Sequence, residues 1–517
     1  MTDLTPPRSW RETLRDLLDR RVVTLLLFGF SAGLPLLLIF SSLSLWLREA
    51  GVERSAVTLF SWAALGYSFK FVWAPLVDRL PLPWLTRRLG RRRGWLLVAQ
   101  MGIIAAILAM STQDPGIDVT NLRLMAVAAV ALGFSSATQD IVIDAYRIES
   151  APPRLQALLS AAYIAGYRMG MLVSGAGALA LAAGLGSELG AYHYQAWQWT
   201  YRVMALMMLV GVAANLLARE PEVGERAPSP YRNRDYLGFV LVFLGAAAAF
   251  VSLFSQAGEV AEQLKQTLGG GPLAGFLIEA LRLGTALAAA LAAGWLLLTA
   301  RVVAPDLVRD TYLAPFLDFF RRYQPSTAWL LLGLIGVYRI ADILLGVIAN
   351  VFYQDLGFTK PEIATIVNSF GLGMTILGGF LGGLLSARFG VTRLLWWGAL
   401  LAALTNLLFM LLAQLGHHPA MLYLVISADN LSAGLASAAF VAFLSSLTSV
   451  SFTAVQYAIF SSLMTLLPKL LGGYSGSMVD ALGYPHFFLL TALAGLPVLW
   501  LVARAGRLME EGRVDGR

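Results

Sequence analysis

The sequence predicts an all-α polytopic membrane protein, built as two bundles of six helices with two further helices inserted between them. Three observations lead there. Apolar runs of about twenty residues recur along the 517-residue chain, and a helix needs about that length to cross a bilayer. Lipid leaves only helices and closed barrels able to satisfy every backbone polar group. Only 13% of the residues are charged and the mean hydropathy is +0.69, where soluble domains carry roughly 25% charge. Basic residues gather in short loops between the runs, where they set insertion orientation. The net charge of +7 is therefore no nucleic-acid footprint.

Residues 1–21 read as a polar cytoplasmic segment containing Pro6-Pro7. The apolar run that follows is too long for the core of a cleavable signal. The first bundle occupies 22–218. Its first span, Val22–Leu47, holds Gly29, Gly33 and Pro35; small residues allow close helix approach and a proline can bend the rod. The second span, Ser55–Val77, carries Lys70 deep inside it. The next loop contains Asp78-Arg79, Arg87-Arg88 and Arg91-Arg92-Arg93 and is the most arginine-rich of the chain. The positive-inside rule places it in the cytoplasm, and with it the N-terminus two spans earlier. The third span is Trp95–Ser111, and the fourth begins near Leu122 and closes in the run Ser135–Arg147. The fifth and sixth are Leu155–Gly184 and Trp197–Ala218.

Residues 219–327 form a linker that opens with Pro221, Pro228 and Pro230. Within it, 236–255 and 272–300 are the inserted spans, turning at Gly269-Gly270-Gly271. An amphipathic surface segment follows round Phe316–Phe320. The second bundle, 328–503, contains spans at Trp329–Phe352, Lys360–Ala387, Leu394–Leu415, Ala420–Leu447, Ser451–Gly472 and Pro485–Ala503. A cytoplasmic tail, 504–517, ends the chain. The run Gly383–Arg393 holds the place in this half that Asp78–Arg93 holds in the first, an internal repeat at the level of topology. Six, two and six make fourteen spans with both termini inside. Two six-span halves with a basic loop after the second span of each describe a major facilitator architecture, in which substrate binds between the halves near the midplane.

Charge at lipid depth singles out the candidate site. On a helix, Asp140, Asp144 and Arg147 fall at i, i+4 and i+7 and share one face, with Gln139 one step round. Each such group costs about 2.5–3.5 kcal/mol to insert, so it belongs to a wet cavity or a protein interior. Asp140 and Asp144 are candidate proton-coupling carboxylates; a structural ion pair with Arg147 or Arg168 is the alternative. Lys70 and Arg168 are candidate anion contacts, since a guanidinium grips a carboxylate in bidentate fashion, or else partners for those acids. Arg339 and Asp342 stand at i, i+3 and are either a local pair or a cavity wall. Asn368, Asp429, Asn430 and Gln456 are candidate polar contacts for substrate, amides being able to donate and accept at once. Tyr67, Tyr167, Tyr338 and Tyr457 can stack on sugar rings or simply pack. Asp78, Arg79, Arg91 and Arg92, with Arg93, are candidates for a cytoplasmic gate whose partner is an acid such as Glu149, or else are topogenic charge alone. His193, His417, His418 and His486 show no metal spacing.

Several runs resemble the AmpG family of muropeptide permeases. They are Gly29–Pro35, Phe69–Arg79, Gly90–Leu97, Gln139–Ala145, Gly166–Gly175, Ala438–Phe443 and Ala454–Ala458. The resemblance implies proton-driven import of N-acetylglucosaminyl-anhydro-muramyl peptides across the inner membrane of a Gram-negative bacterium. It further implies a role in cell-wall recycling and a link to β-lactamase induction. Its extra spans lie between the halves here, whereas some relatives carry theirs at the C-terminus.

Other classes fit less well. With no cysteine, thiol catalysis, disulfides and Cys-ligated metals are excluded. No Gly-x-x-x-x-Gly-Lys-Ser/Thr loop is present, so ATP does not drive transport within this chain. A gradient must, and one charge crossing about 100 mV gains about 2.3 kcal/mol. No cofactor is expected. The expected partners are an anionic sugar-peptide, protons and the bilayer, for a chain acting as a monomer. A carrier of another anionic metabolite, acyl-CoA-like or a sugar, is the nearest alternative. An integral membrane transferase would want a polar loop with a nucleophile or a metal-binding carboxylate cluster, and none is found.

Overall fold

The computed structural model describes residues 19–52, 67, 69–152, 155–187, 190–221, 231, 233–267, 272–359, 362–472 and 475–515. No β-strand occurs among them. Twelve helices among the described residues are long and apolar enough to cross a membrane, where fourteen are expected. The difference has two sources. The expected span Ser55–Val77 falls mostly on residues 53–66 and 68, outside the described residues. The expected span Ser451–Gly472 contains a shorter apolar helix, Val450–Thr465. The Gly269–Gly271 turn and Pro228 and Pro230 also lie outside the described residues.

The chain divides into two compact units, Met1–Val77 with Pro81–Val223 and Tyr323–Arg517, and Asp78–Leu80 with Gly224–Arg322. The helices of the first half are α1 Arg20–Ile39, α2 Ser41–Glu49, α3 Ala74–Arg79 (its last two residues assigned to the second unit), α4 Leu85–Leu89, α5 Arg91–Ser111, α6 Val119–Ser150, α7 Gln156–Leu172, α8 Ala178–Gly184, α9 Tyr194–Met207 and α10 Leu209–Leu217. The second unit contributes α11 Asn233–Thr267, α12 Pro272–Thr299, α13 Pro305–Val308 and α14 Ala314–Arg322. The second half of the first unit supplies α15 Pro325–Val337, α16 Ile340–Asp355, α17 Gly371–Phe389, α18 Val391–Leu415, α19 Pro419–Leu447, α20 Thr453–Gly472, α21 Ser475–Leu482 and α22 Tyr484–Asp515. The last helix continues past the expected end of its span at Ala503, because no proline interrupts the charged turns that follow.

Glycines decide which helices touch most closely. A Cβ on Gly29 or Gly33 of α1 would strike the carbonyl oxygens of Tyr163 and Tyr167 of α7. One on Gly166 or Gly170 of α7 would strike those of Leu26 and Phe30. Both helices thus carry the small-xxx-small spacing that lets backbones meet. The second half repeats the device elsewhere: Gly378 of α17 sits against the carbonyl of Leu431, and Gly434 of α19 against that of Thr375. The repeat also shows in the loops. Gly90 and Gly390, immediately before α5 and α18, the third expected span of each half, both hold φ of 90°, a conformation open to glycine at little cost.

Across the halves, α7 packs on α17 and α19, and α20 packs on α6 and on the 3₁₀ turn Lys70–Val72. These crossings include contact near the arginine-rich end, where Gly383 meets Ala157, Leu158 and Ala161. Toward the opposite end each half has its own apolar core. Trp46, Trp197 and Tyr201 centre one, and Phe352, Phe409 and Phe488 centre the other.

In the second unit α11 and α12 lie antiparallel, since Gly238 meets Val302, Gly245 meets Leu297 and Gly258 meets Arg282. Arg282 donates to the Phe254 carbonyl through Nε and Nη2 at 2.9 and 2.8 Å. The expected amphipathic segment is helical, with Phe319 buried and Phe316 exposed on α14.

Candidate functional site

The site is built on α6. Asp140, Asp144 and Arg147 share one buried face of this 32-residue helix. Lys70 joins them from the 3₁₀ turn Lys70–Val72 and is itself buried. Asp144 lies between two cations: Lys70 Nζ is 3.5 Å from one carboxylate oxygen and Arg147 Nη2 is 3.6 Å from the other. Asp140 is less provided for. The Tyr163 hydroxyl of α7 donates to it at 3.3 Å, and the charges within electrostatic range are Lys70 and Asp144.

Arg147 is fully buried and ties four helices together. Its Nη1 donates to Gln156 Oε1 at 3.2 Å, to the Ser160 hydroxyl at 3.1 Å and to the Ser445 hydroxyl at 2.7 Å. Its guanidinium carbon stands 5.1 Å from the centre of the Tyr457 ring, a cation–π approach. Gln156 and Ser160 belong to α7, Ser445 to α19 and Tyr457 to α20. One side chain of the first half therefore holds both halves.

Arg168 differs from these. It is exposed on α7, and among the described residues it makes no hydrogen bond or ion pair. The charged group it senses is Arg339 of the second half. Arg339 sits at the break between α15 and α16 and lies 3.6 Å from Asp342 in the first turn of α16. Tyr167, half-buried, stands beside Tyr163 with ring centres 6.0 Å apart. Asp429 of α19 accepts from the Thr405 hydroxyl of α18 at 3.3 Å. Asn430 accepts from the Thr375 hydroxyl at 2.7 Å and donates to the Ile426 carbonyl at 3.1 Å. Asn368 lies in the π-helix Ile363–Phe370, and its side chain is outside the described set.

Three expected contacts point elsewhere. Gln139 is fully buried against α1, donating to the Ser31 carbonyl at 3.1 Å and accepting from the Ser31 hydroxyl at 3.4 Å. One residue is 100° of helix, enough to turn it off the Asp140 face. Gln456 accepts from the Ser449 backbone at 2.7 Å and closes the turn before α20. Tyr338 is spent on the Leu395 carbonyl at 3.0 Å and stacks on Phe440 at 4.2 Å.

At the arginine-rich end, Arg92 grips Glu149 in bidentate form at 2.9 and 2.6 Å, and Arg91 approaches the same carboxylate at 3.6 Å. Glu220 accepts the backbone N–H groups of Arg92 and Arg93 at 2.8 and 3.1 Å. A carboxylate there satisfies orphan donors at the start of α5. Asp78 and Arg79 cluster with the second unit, where Arg79 donates to the Asp310 carbonyl at 3.4 Å. A cleft of about 630 Å³ at this end is lined by Arg20, Arg21, Tyr146, Glu149, Arg219 and Glu220. It includes none of the charges at lipid depth.

Tyr163, Gln156, Ser160, Ser445 and Glu220 were not legible as site residues. Each is a common polar or aromatic type whose partner lies far away in sequence or on another element.

Comparison with known proteins places the chain. A model described as Acetyl-coenzyme A transporter 1 matches residues 21–188, and the Major Facilitator Superfamily model matches 330–514. A Rickettsia conorii protein that carries the name AmpG 4 is 29% identical over 94% of this chain and 96% of its own. The anhydromuropeptide permease of Escherichia coli K12 is 30% identical over 97% of this chain and 83% of its own. The chain belongs to the AmpG family of muropeptide permeases. Its fold is that of the major facilitators. The proton:xylose symporter XylE superposes with a TM-score of 0.55 at 12% identity, covering 96% of both chains. The human organic anion transporter MFSD10 superposes with 0.54 at 14%, covering 93% of this chain and 99% of its own. Like its AmpG relatives, this chain is a multi-pass membrane transporter and not an enzyme.

Proposed function

We propose that this transporter imports anhydro-muropeptides with protons, from periplasm to cytoplasm, across the inner membrane of a Gram-negative bacterium for peptidoglycan recycling. Family membership supports the substrate class, and the positive-inside rule supports the orientation with both termini cytoplasmic. The observation that carries the mechanism is the position of Asp144 between Lys70 and Arg147. Protonating Asp144 removes the charge that holds both cations. Arg147 then loses an anchor on its own helix while still bonded to Ser445 of the other half. Proton binding is thereby linked to the contact that closes the cytoplasmic end. Asp140, one turn away, relays the proton.

Arg168 and Arg339 take the substrate's free carboxylates, since the first is exposed without a partner among the described residues and the second lies within its electrostatic reach. Tyr167, Asp342 and Asn430 complete the wall for sugar and peptide groups. Gln139 and Gln456 are left out because the first is fully buried against Ser31 of α1 and the second closes the turn before α20. Arg91 and Arg92 with Glu149 act as a cytoplasmic latch, whereas Asp78 and Arg79 group with the second unit. The segment 219–327 is accessory to a transport core that works as a monomer.

The test is uptake of labelled anhydro-muropeptide into right-side-out vesicles, with and without an imposed pH gradient. Asp140→Asn and Asp144→Asn are each expected to abolish accumulation against a gradient. If both still accumulate substrate, the carboxylates are structural. The match of residues 21–188 to an acetyl-coenzyme A transporter model favours a second reading, an acyl-CoA-like solute. Labelled acetyl-CoA in the same vesicles decides between them.

A further inference from the structure

The second half contains a carboxylate at lipid depth that the mechanism above does not use. Asp429 stands on α19, eighteen residues before its end at Leu447, about 27 Å along the helix at 1.5 Å per residue. Asp140 stands ten residues before the corresponding end of α6 at Ser150, about 15 Å by the same rise. Both helices form the fourth expected span of their half and end toward the arginine-rich side, so Asp429 lies about 12 Å further from that side.

Its surroundings hold no countercharge among the described residues. Among the described residues, its hydrogen bond comes from the Thr405 hydroxyl at 3.3 Å. The titratable groups facing it are Asp342 and Tyr353, both of α16. Asp342 is an acid itself and already has Arg339 at 3.6 Å. Arg388 of α17 and Arg393 of α18 lie at the arginine-rich ends of those helices. The π-helix Ile363–Phe370 carries no charged residue, and Arg168 of α7 faces Arg339. Lys469 of α20 is outside the described side chains. Asp429 is half-buried, and an anion there, with a second carboxylate in electrostatic range, has no described cation to offset its cost. A neutral acid avoids that cost, and it can accept a hydroxyl's hydrogen bond through its carbonyl oxygen.

We propose that Asp429 is a second proton-binding site of the transport cycle, loaded from the side opposite the arginine-rich loops. On loading, an O–H bond forms at a carboxylate oxygen as one breaks in a hydronium ion, and release reverses the exchange. The role in transport rests on the proton-coupled reading given above. The proton site itself does not, and the two are tested separately.

The full-length protein is reconstituted in liposomes and two quantities are read: exchange of labelled anhydro-muropeptide without a gradient, and protons moved per solute. Asp429→Asn is expected to keep exchange and to lower the proton ratio by one, while Asp429→Glu keeps both. An unchanged ratio overturns the proposal. Loss of exchange in Asp429→Asn together with its retention of the proton ratio in the remaining flux overturns it as well, making Asp429 a solute ligand. Infrared difference spectra of solute-free protein across a pH step provide the independent arm. A protonated-carboxyl C=O band is expected that shifts in Asp429→Glu and, where that variant folds, vanishes in Asp429→Asn. A band identical in wild type and Asp429→Glu rules the site out whatever the solute proves to be.

Discussion

Helices α6 and α19, the fourth expected spans of the two halves, occupy equivalent places in the repeat and treat charge in opposite ways. Each starts at a capped N-terminus: Asp118 accepts from Asn121 N–H at 2.7 Å and His418 Nδ1 from Met421 N–H at 3.2 Å. From there they diverge. Helix α6 concentrates Asp140, Asp144 and Arg147 toward its arginine-rich end, where Lys70 and the other half supply partners. Helix α19 carries Asp429 toward its other end with a hydroxyl for company. A charge with partners fastens helices to one another, whereas one without them is free to titrate or to meet a ligand. The same contrast separates Arg147, with three acceptors on one nitrogen, from Arg168, which has none among the described residues.

The largest expected effect tests the frame on which both helices sit. Gly166→Leu drives a side chain into the backbone of α1, and overpacking of 1–3 kcal/mol or more follows. Loss of monodisperse protein on detergent chromatography is expected, whereas Gly333→Leu, with nothing within 4 Å, leaves the profile unchanged. An equal outcome for the two would show that the close crossing does not hold the first half together.

Next comes the fastened cation. Arg147→Met leaves Asp144 with Lys70 alone, and removing one partner of a buried pair costs about 3–5 kcal/mol. A large fall in melting temperature and at least about tenfold slower uptake are expected, tenfold being about 1.4 kcal/mol. Ser445→Ala removes a single bond, worth about 1 kcal/mol, and should show a smaller loss in the same assays.

Arg168→Gln sharpens the contrast by behaving differently. With no partner to lose, the variant should melt within about 1 °C of wild type, as surface changes usually do within ±0.5 kcal/mol. Its KM for anhydro-muropeptide should rise about tenfold with little change in maximal rate, since charge-assisted bonds contribute about 1.5–3 kcal/mol. A shifted melting temperature with an unchanged KM would make Arg168 structural after all.

The smallest effect lies outside the membrane. Glu362 precedes the span Thr365–Phe389. Its carboxylate accepts from the Thr359 backbone and hydroxyl, each at 2.8 Å, and faces His417 at 3.2 Å. Those donors hold it below the usual glutamate range. A depressed folded value gives stability that is present above the unfolded value of about 4.3 and lost as pH falls through the folded one. Wild type should therefore lose slightly more melting temperature than Glu362→Gln on acidification from about pH 6 to pH 3, a window set by that reference value. Parallel curves would show that this loop contact does not contribute.

Much of the candidate site was legible because it is local. Asp140, Asp144 and Arg147 needed only the helical period to be placed on one face, and Glu149 was nameable as a partner for the arginine loop from its position at the end of the same helix. The partners of Gln139 were not legible, because a single residue's rotation sets it against Ser31. Those of Gln456 and Tyr338, the Ser449 backbone and the Leu395 carbonyl, lie on turns and helices that only the fold brings close. Glu220 and Ser445 gave no local signal, since their partners are 128 and 298 residues away.

Length, apolar runs and loop arginines were enough by themselves to establish a helical transporter fold with charges buried at lipid depth. Those features follow from the bilayer, which acts on each segment separately. Only the tertiary structure decided which charges are paired, that Arg147 joins the halves, and that Arg168 and Asp429 stand apart from any described countercharge. Pairing depends on which helix faces approach within hydrogen-bonding distance, and that approach is set by glycine contacts between segments more than a hundred residues apart, such as Gly29 with Tyr163.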